Sequence, residues 1–195
     1  MIKQVEKYCT NLLSSTEVDK LPFHNLLHTR EVVQNVKYLC AAMDIGNRDT
    51  DLLIIAAWFH DTGFIETYIG HEEVSKALSK EFLTKIEMDN QSIQQICDFI
   101  EATKIPQHPT TELAEILCDA DILHTSNLNF YYRKLLLRRE WELFCDITKT
   151  DKEWHELNLE FLKNLHFKTS YGKNILEQGK KENIEKVERI LRYYR

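Results

Sequence analysis

Apolar residues return every three or four positions along most of this chain, and nowhere do they alternate long enough to build a sheet. Ile2, Val5, Cys9, Leu12 and Leu13 make a first stripe. Val32, Val33, Val36, Leu39 and Cys40 make a second, over about residues 26–43. DLLIIAAWFH is apolar on most sides, which predicts a central helix buried all round. HEEVSKALSKEFLTKI reads as an exposed amphipathic helix, and QSIQQICDFIEATK as the next, capped by Asp89 or Asn90. TELAEILCDADILH, FYYRKLLLRREWELF, DKEWHELNLEFLKNL and KENIEKVERILRYY continue the pattern. Breakers are scarce, with 5 Gly and 3 Pro in 195 residues, which argues for long helices. SSTEVDKLP, GNRD, the stretch 62–70 with Gly63 and Gly70, and IPQHPT are the separators. The expected class is all-α: a single helical-bundle domain over residues 1–195, built from roughly eight to ten helices.

A hydrophobic share of 43% beside 29% charged residues is a packed globular composition. A net charge of -6 gives no general attraction to a DNA or RNA duplex or to an anionic membrane. Cys9, Cys40, Cys97, Cys118 and Cys145 are scattered and odd in number, without a C-x-x-C pair. That argues against a disulfide frame or zinc knuckle and for a reducing cytoplasm. The start, MIKQVEKYCTNLL, is too charged for a signal peptide. No stretch approaches the roughly 18 apolar residues of a membrane span, so a cytoplasmic protein is expected.

The apolar run 52–59 delivers the chain to His60 and Asp61, two groups that cost free energy to bury unless they are partnered. Candidate partners lie far off in sequence. His28 opens a helix in FHNLLHTREVV, and Asp119 and Asp121 sit in the apolar segment ILCDADIL. Residues at i and i+2 lie about 200° apart on a helix, so one of these carboxylates can face inward while the other faces solvent. An inward carboxylate among Ile116, Leu117, Ile122 and Leu123 needs a cation or donors. With His28, His60 and Asp61 it would complete a mixed imidazole–carboxylate shell. Such a shell suits Mn²⁺, Fe²⁺, Co²⁺, Ni²⁺ or Zn²⁺ and tolerates Mg²⁺.

FHNLLHT, AAWFHDTGF, GHEEVSKA, IEATK and LCDADIL follow one another in an order that resembles the HD-domain superfamily of metal-dependent phosphohydrolases, specifically a bacterial branch of predicted HD phosphohydrolases. The resemblance covers about residues 23–123 and, more loosely, the C-terminal helices. It implies an all-helical fold with a metal-site core over about 23–125, on which helices in 128–195 pack. It also implies His28, His60, Asp61 and Asp121 as metal ligands, Asp121 being preferred because it stands in the family's A-D-x-L-like setting. Members with two metals add two histidines between the HD pair and the last aspartate, and His71 and His108 fall in that interval. His71, opening a helix beside two glutamates, suits a ligand, whereas His108 reads as a loop residue. One ion is the default.

The chemistry implied is attack of cation-activated water on phosphorus. Asp61 would bridge two ions or hold the water, and Glu72 or Glu73 would accept a proton. Lys104 could reach phosphate, as could Arg133, Lys134, Arg138 and Arg139 in FYYRKLLLRRE, with Tyr131 or Tyr132 stacking on a base. Lys168 and Tyr171, in HFKTSYGK, suggest a loop closing over substrate. His24 lies four residues before His28 and is a candidate substrate contact. The expected substrate is a nucleotide or another small phosphate ester, cyclic nucleotides included. A nucleotide-binding sensor module with little turnover is the alternative, and a two-metal oxygenase a third. The amphipathic last helix leaves a homodimer open.

Overall fold

The computed structural model describes residues 1–14 and 20–194. Among these there are nine α-helices, several short 3₁₀ or π turns and no strand, so the chain is all-α as expected. The separator SSTEVDKLP falls mostly on residues 15–19, which lie outside the described residues. The chain divides into two compact units, Met1–Asp121 and the remainder from Ile122 onward. No helix among the described residues is long and apolar enough to cross a membrane, and all five cysteines are free thiols.

In the first unit, α1 (Ile2–Ser14) buries Val5, Cys9 and Leu13 from its predicted stripe. α2 (Leu26–Ala42) begins at Asn25, whose side-chain oxygen accepts from the Leu27 and His28 amides at 3.0 and 3.2 Å. The same side chain donates back to Leu21 O at 2.9 Å, so the entry into α2 is held from both sides. α3 (Asn47–Phe59) is the central helix, buried at every position over 52–59 and packed on α1, α2 and α5 (Asn90–Ala102). It starts earlier than GNRD suggested. Only Gly46 stays outside, while Asn47, Arg48 and Asp49 form the first turn, where the Asp49 charge suits the helix dipole. α5 is capped by Asp89, which accepts from the Ser92 amide at 2.9 Å.

α4 (His71–Lys85) departs from an ordinary amphipathic helix, because its buried positions are Glu72, Ser75, Ser79 and Leu83. Small polar side chains let a neighbour come close. The neighbour is the turn Thr62–Ile65, where a Cβ on Gly63 would lie 1.9 Å from the His71 carbonyl oxygen. The Gly63 amide donates to Ser75 Oγ at 2.8 Å. Gly70, at φ 75°, turns the chain into α4 through a left-handed conformation that other residues resist. α6 (Glu112–Ile122) closes the unit.

The second unit comprises α7 (Phe130–Phe144), α8 (Asp151–Asn164) and α9 (Glu177–Leu191), with a core of Phe130, Leu162 and Val187. Thr150 and Glu153 form a reciprocal capping box at the start of α8. α9 is fastened to the turn Leu123–Ser126, because the Asn183 amide donates to Thr125 O and Asn127 O, both at 2.9 Å. The loop expected over 166–173 is shorter than its sequence suggests, since helical structure resumes at Ser170 and runs through a π turn, Gly172–Leu176. Thr169 explains this: its hydroxyl accepts from the Gly172 amide at 2.8 Å and starts the helix locally.

Candidate metal centre

α3 ends on Phe59, and His60 takes the C-cap position with its amide still bonded to Ala56 O. The backbone then turns at Asp61 (φ -108°, ψ 6°) into the short turn that follows. Asp61 stands where a capping residue would, yet its carboxylate makes no capping bond. It faces histidines instead. Asp61 Oδ2 lies 3.1 Å from His60 Nε2 and 3.4 Å from His28 Nε2. Asp121 Oδ1, from the last turn of α6, lies 3.2 Å from His28 Nε2 and 3.7 Å from His60 Nε2. Three helices and the turn after α3 thus bring residues 28, 60, 61 and 121 together, all inside the first unit.

The donor atoms fit a single cation. Ligand atoms about 2.1 Å from one ion, at angles between right and tetrahedral, stand about 3.0–3.5 Å apart, close to the distances found here. His28, His60 and Asp121 each offer a ligand atom within 4.8 Å of the others. His60 Nδ1 sits 2.8 Å from Ala57 O, an arrangement that places the ring proton there and leaves the Nε2 lone pair turned to the carboxylates. Although His60 Nε2 and Asp61 Oδ2 are 3.1 Å apart, neither has a hydrogen-bond partner, and both are buried. Proximity without alignment is what two ligands of one ion show, and two orphaned buried polar atoms are otherwise costly.

The electrostatics without an ion are those of a charged cluster. Burial pulls the His60 imidazolium down, but the Asp61 charge, with Asp121 behind it, outweighs this and raises His60 to about 9. Burial lowers His28, and the Asp121 contact only partly offsets it. Burial pushes the Asp61 carboxyl up, while His60 and His71 hold it well below the usual carboxylate range. Asp121 is lowered in the same way, burial being outweighed by His28 and His60. Of these groups, His28, His60 and Asp121 could hold a metal ion.

His71 extends the cluster. Its Nε2 lies 3.4 Å from Asp61 Oδ1 and 3.7 Å from Glu72 Oε1, and its ring stacks on Phe64 at 3.8 Å. Asp61 thereby divides its oxygens, Oδ2 toward His28 and His60 and Oδ1 toward His71. Of the two glutamates, Glu72 is buried beside His71, while Glu73 is exposed and paired with Lys76 at 2.8 Å. His24 stacks on the other side of this group, 4.5 Å from the Phe64 ring and 5.8 Å from His28. Phe64 and Asn25 escaped the sequence reading. Asn25 had a signal, a cap residue ahead of an apolar run, but Phe64 in its short turn had none.

The remaining candidates are distributed otherwise. Asp119 is fully buried, whereas the Asp121 side chain keeps 19% exposure and faces the cluster. The expected division into one inward and one solvent-facing carboxylate is not met, because Asp119 has no exposure and Asp121, the less buried of the two, lies beside the histidines. Lys104 and His108 are exposed in the segment after α5. Arg133 and Lys134 belong to the second unit and are buried there, Lys134 Nζ lying 4.0 Å over the Phe161 ring. Burial lowers the Lys134 ammonium to about 7. Arg138 pairs with Asp151 at 2.7 Å, and Arg139 with Glu142 at 3.1 Å. Tyr131 is half-buried and Tyr132 exposed, and Lys168 and Tyr171 are half-buried.

The family model described as HD domain matches residues 25–126. No curated protein and no solved structure matches the chain.

Proposed function

The chain belongs to the HD-domain superfamily, and from that premise we propose that it is a metal-dependent phosphohydrolase cleaving a phosphomonoester or phosphodiester bond of a nucleotide or another small phosphate ester. The observation that carries this reading is the meeting of His28, His60, Asp61 and Asp121 around orphaned ligand atoms. These four residues would hold a divalent cation, with His71 on the far oxygen of Asp61. When bound, the cation would neutralise charge on phosphate oxygens and acidify water at neutral pH.

The chain's own groups supply the rest. The Nδ1 proton of His60, facing Ala57 O, keeps Nε2 in its ligating form. Glu72, buried 3.7 Å from His71 Nε2, is our candidate to accept a proton from attacking water. His24, packed against Phe64, would contact substrate. Lys104, exposed after α5, is our candidate for a phosphate contact, and the Lys104→Met variant should raise KM more than it lowers kcat, whereas Arg133 and Lys134 are buried in the second unit.

The test is turnover by purified protein with Mn²⁺ or Co²⁺ against mononucleotides, deoxynucleotides, cyclic nucleotides, guanosine tetraphosphate and simple phosphodiesters. Cation-dependent release, abolished by His60→Ala and Asp121→Ala, is the expected result. Tight nucleotide binding without release would replace this reading with that of a sensor module.

A further inference from the structure

Asn35 stands two helical turns after His28 on α2. Seven residues is close to two full turns, so both side chains leave the same face of the helix. The Asn35 amide donates to the Ala120 carbonyl at 2.9 Å, across 85 residues of sequence. Ala120 is fully buried, and Asp121 follows it directly. It lies in the last turn of α6, just before the turn Leu123–Ser126. α2 therefore meets the end of α6 at two points: His28 at the Asp121 carboxylate, and Asn35 at the peptide just before it.

We propose that Asn35 is a positioning residue, fixing the backbone at Ala120 so that the Asp121 carboxylate is presented to His28 and His60 at ligating distance. The bond is directional, and a shift of α6 along its axis breaks it before packing objects. Apolar neighbours such as Val36 hold α2 in the unit without setting that register. Asn35 is not itself proposed as a ligand, and its effect passes through the backbone at Ala120. The proposal rests on the metal-centre reading for its functional consequence, while the anchoring itself is a property of the protein without an ion.

The experiment uses the full chain and three variants: Asn35→Leu, which keeps the branched shape and removes the donor; Asn35→Asp, which sets a carboxylate against the carbonyl; and Val36→Ala, a packing control on the same helix. Calorimetric titration with Mn²⁺ at fixed pH gives affinity, and amide hydrogen exchange of the cation-free protein gives local stability. Both Asn35 variants should bind Mn²⁺ about tenfold or more weakly, a loss of the size that outer-shell partners cause. They should also exchange faster in the last turn of α6, over residues 117–122. The control should do neither, even where it melts at a lower temperature. Affinity within twofold of the wild type, or a loss matched by Val36→Ala, overturns the proposal. If the wild type takes up neither Mn²⁺ nor Co²⁺, the metal-centre reading falls, and exchange alone decides the anchoring: unchanged protection over 117–122 in Asn35→Leu refutes it.

Discussion

Asp61 is the residue on which the cluster turns, because its two oxygens serve two sets of histidines. Truncating it removes a proposed ligand and the charge that stabilises the His60 and His71 imidazoliums. Asp61→Ala should therefore cost more cation affinity than the roughly 10–100-fold lost with an outer-shell partner, with helical circular dichroism largely kept. Full Mn²⁺ occupancy in that variant would remove Asp61 from the shell. Lys134 presents the opposite case, a charge buried with aromatic rings as its described neighbours. An ammonium lowered from 10.5 to about 7 destabilises the folded state at neutral pH. Lys134→Met, which keeps the length and drops the charge, should raise stability in urea by up to roughly 4 kcal/mol, less what the lysine gains over Phe161. A lower urea midpoint would mean that this amine has a ligand or partner worth more than its desolvation. Only part of this was legible from residue types. The i and i+2 spacing of Asp119 and Asp121 says that they diverge, but which of them meets the histidines is decided by contacts with α2, and periodicity does not report those.

At the scale of elements, the approach of the turn Thr62–Ile65 to α4 sets where His71 and Glu72 stand. The Gly63→Ala variant places a methyl 1.9 Å from the His71 carbonyl oxygen, against backbone that has no rotamer to yield with. The helix start must move, so this variant should lower stability by about 1–3 kcal/mol and weaken cation binding. Gly179→Ala, with an equally severe clash against Ser126 O in the second unit, should lower stability but leave affinity near the wild-type value. Equal losses of affinity in both would show that Gly63 acts only through general stability. The helices themselves were readable wherever a strong apolar period ran for three turns or more, as in α2, α3 and α5. Legibility failed where a single contact overrides the local pattern. α4 hides Ser75 because a glycine turn packs on it and Ser79 because Cys97 of α5 does, and helix resumes at Ser170 because Thr169 caps it. In each case the deciding partner is one atom of a residue whose type suggests nothing special.

For the whole molecule, a cation held at this cluster should cancel the loss of stability that His60 brings as pH rises from 6.5 toward about 9. Without an ion, His60 has a folded pKa of about 9 against an ordinary 6.5. Its contribution is fully present below pH 6.5 and is lost as pH rises through about 9. The lowered carboxyls of Asp61 and Asp121 act in the other direction, contributing above the ordinary carboxylate value of 3.8 and failing as pH falls below it. Lys134 adds an opposing slope, since its cost is relieved as pH rises from about 7 toward 10.5. The informative quantity is the difference in Tm between Mn²⁺-loaded and chelated protein at each pH, in which the lysine contribution cancels. Binding must expel the His60 proton, while His28, already lowered, gives up none. One proton is worth about 1.4 kcal/mol per pH unit, and a domain of this size moves roughly 2–4 °C per kcal/mol. Between pH 6 and 8.5, at fixed free Mn²⁺ well above its Kd, the gap should widen by roughly 3–5 °C per pH unit. Calorimetry in buffers of different ionisation enthalpy should find about one proton released at pH 7.5, the His60 proton. A flat gap with no proton release would mean that the cation binds without His60, and the site would have to be sought elsewhere in the chain.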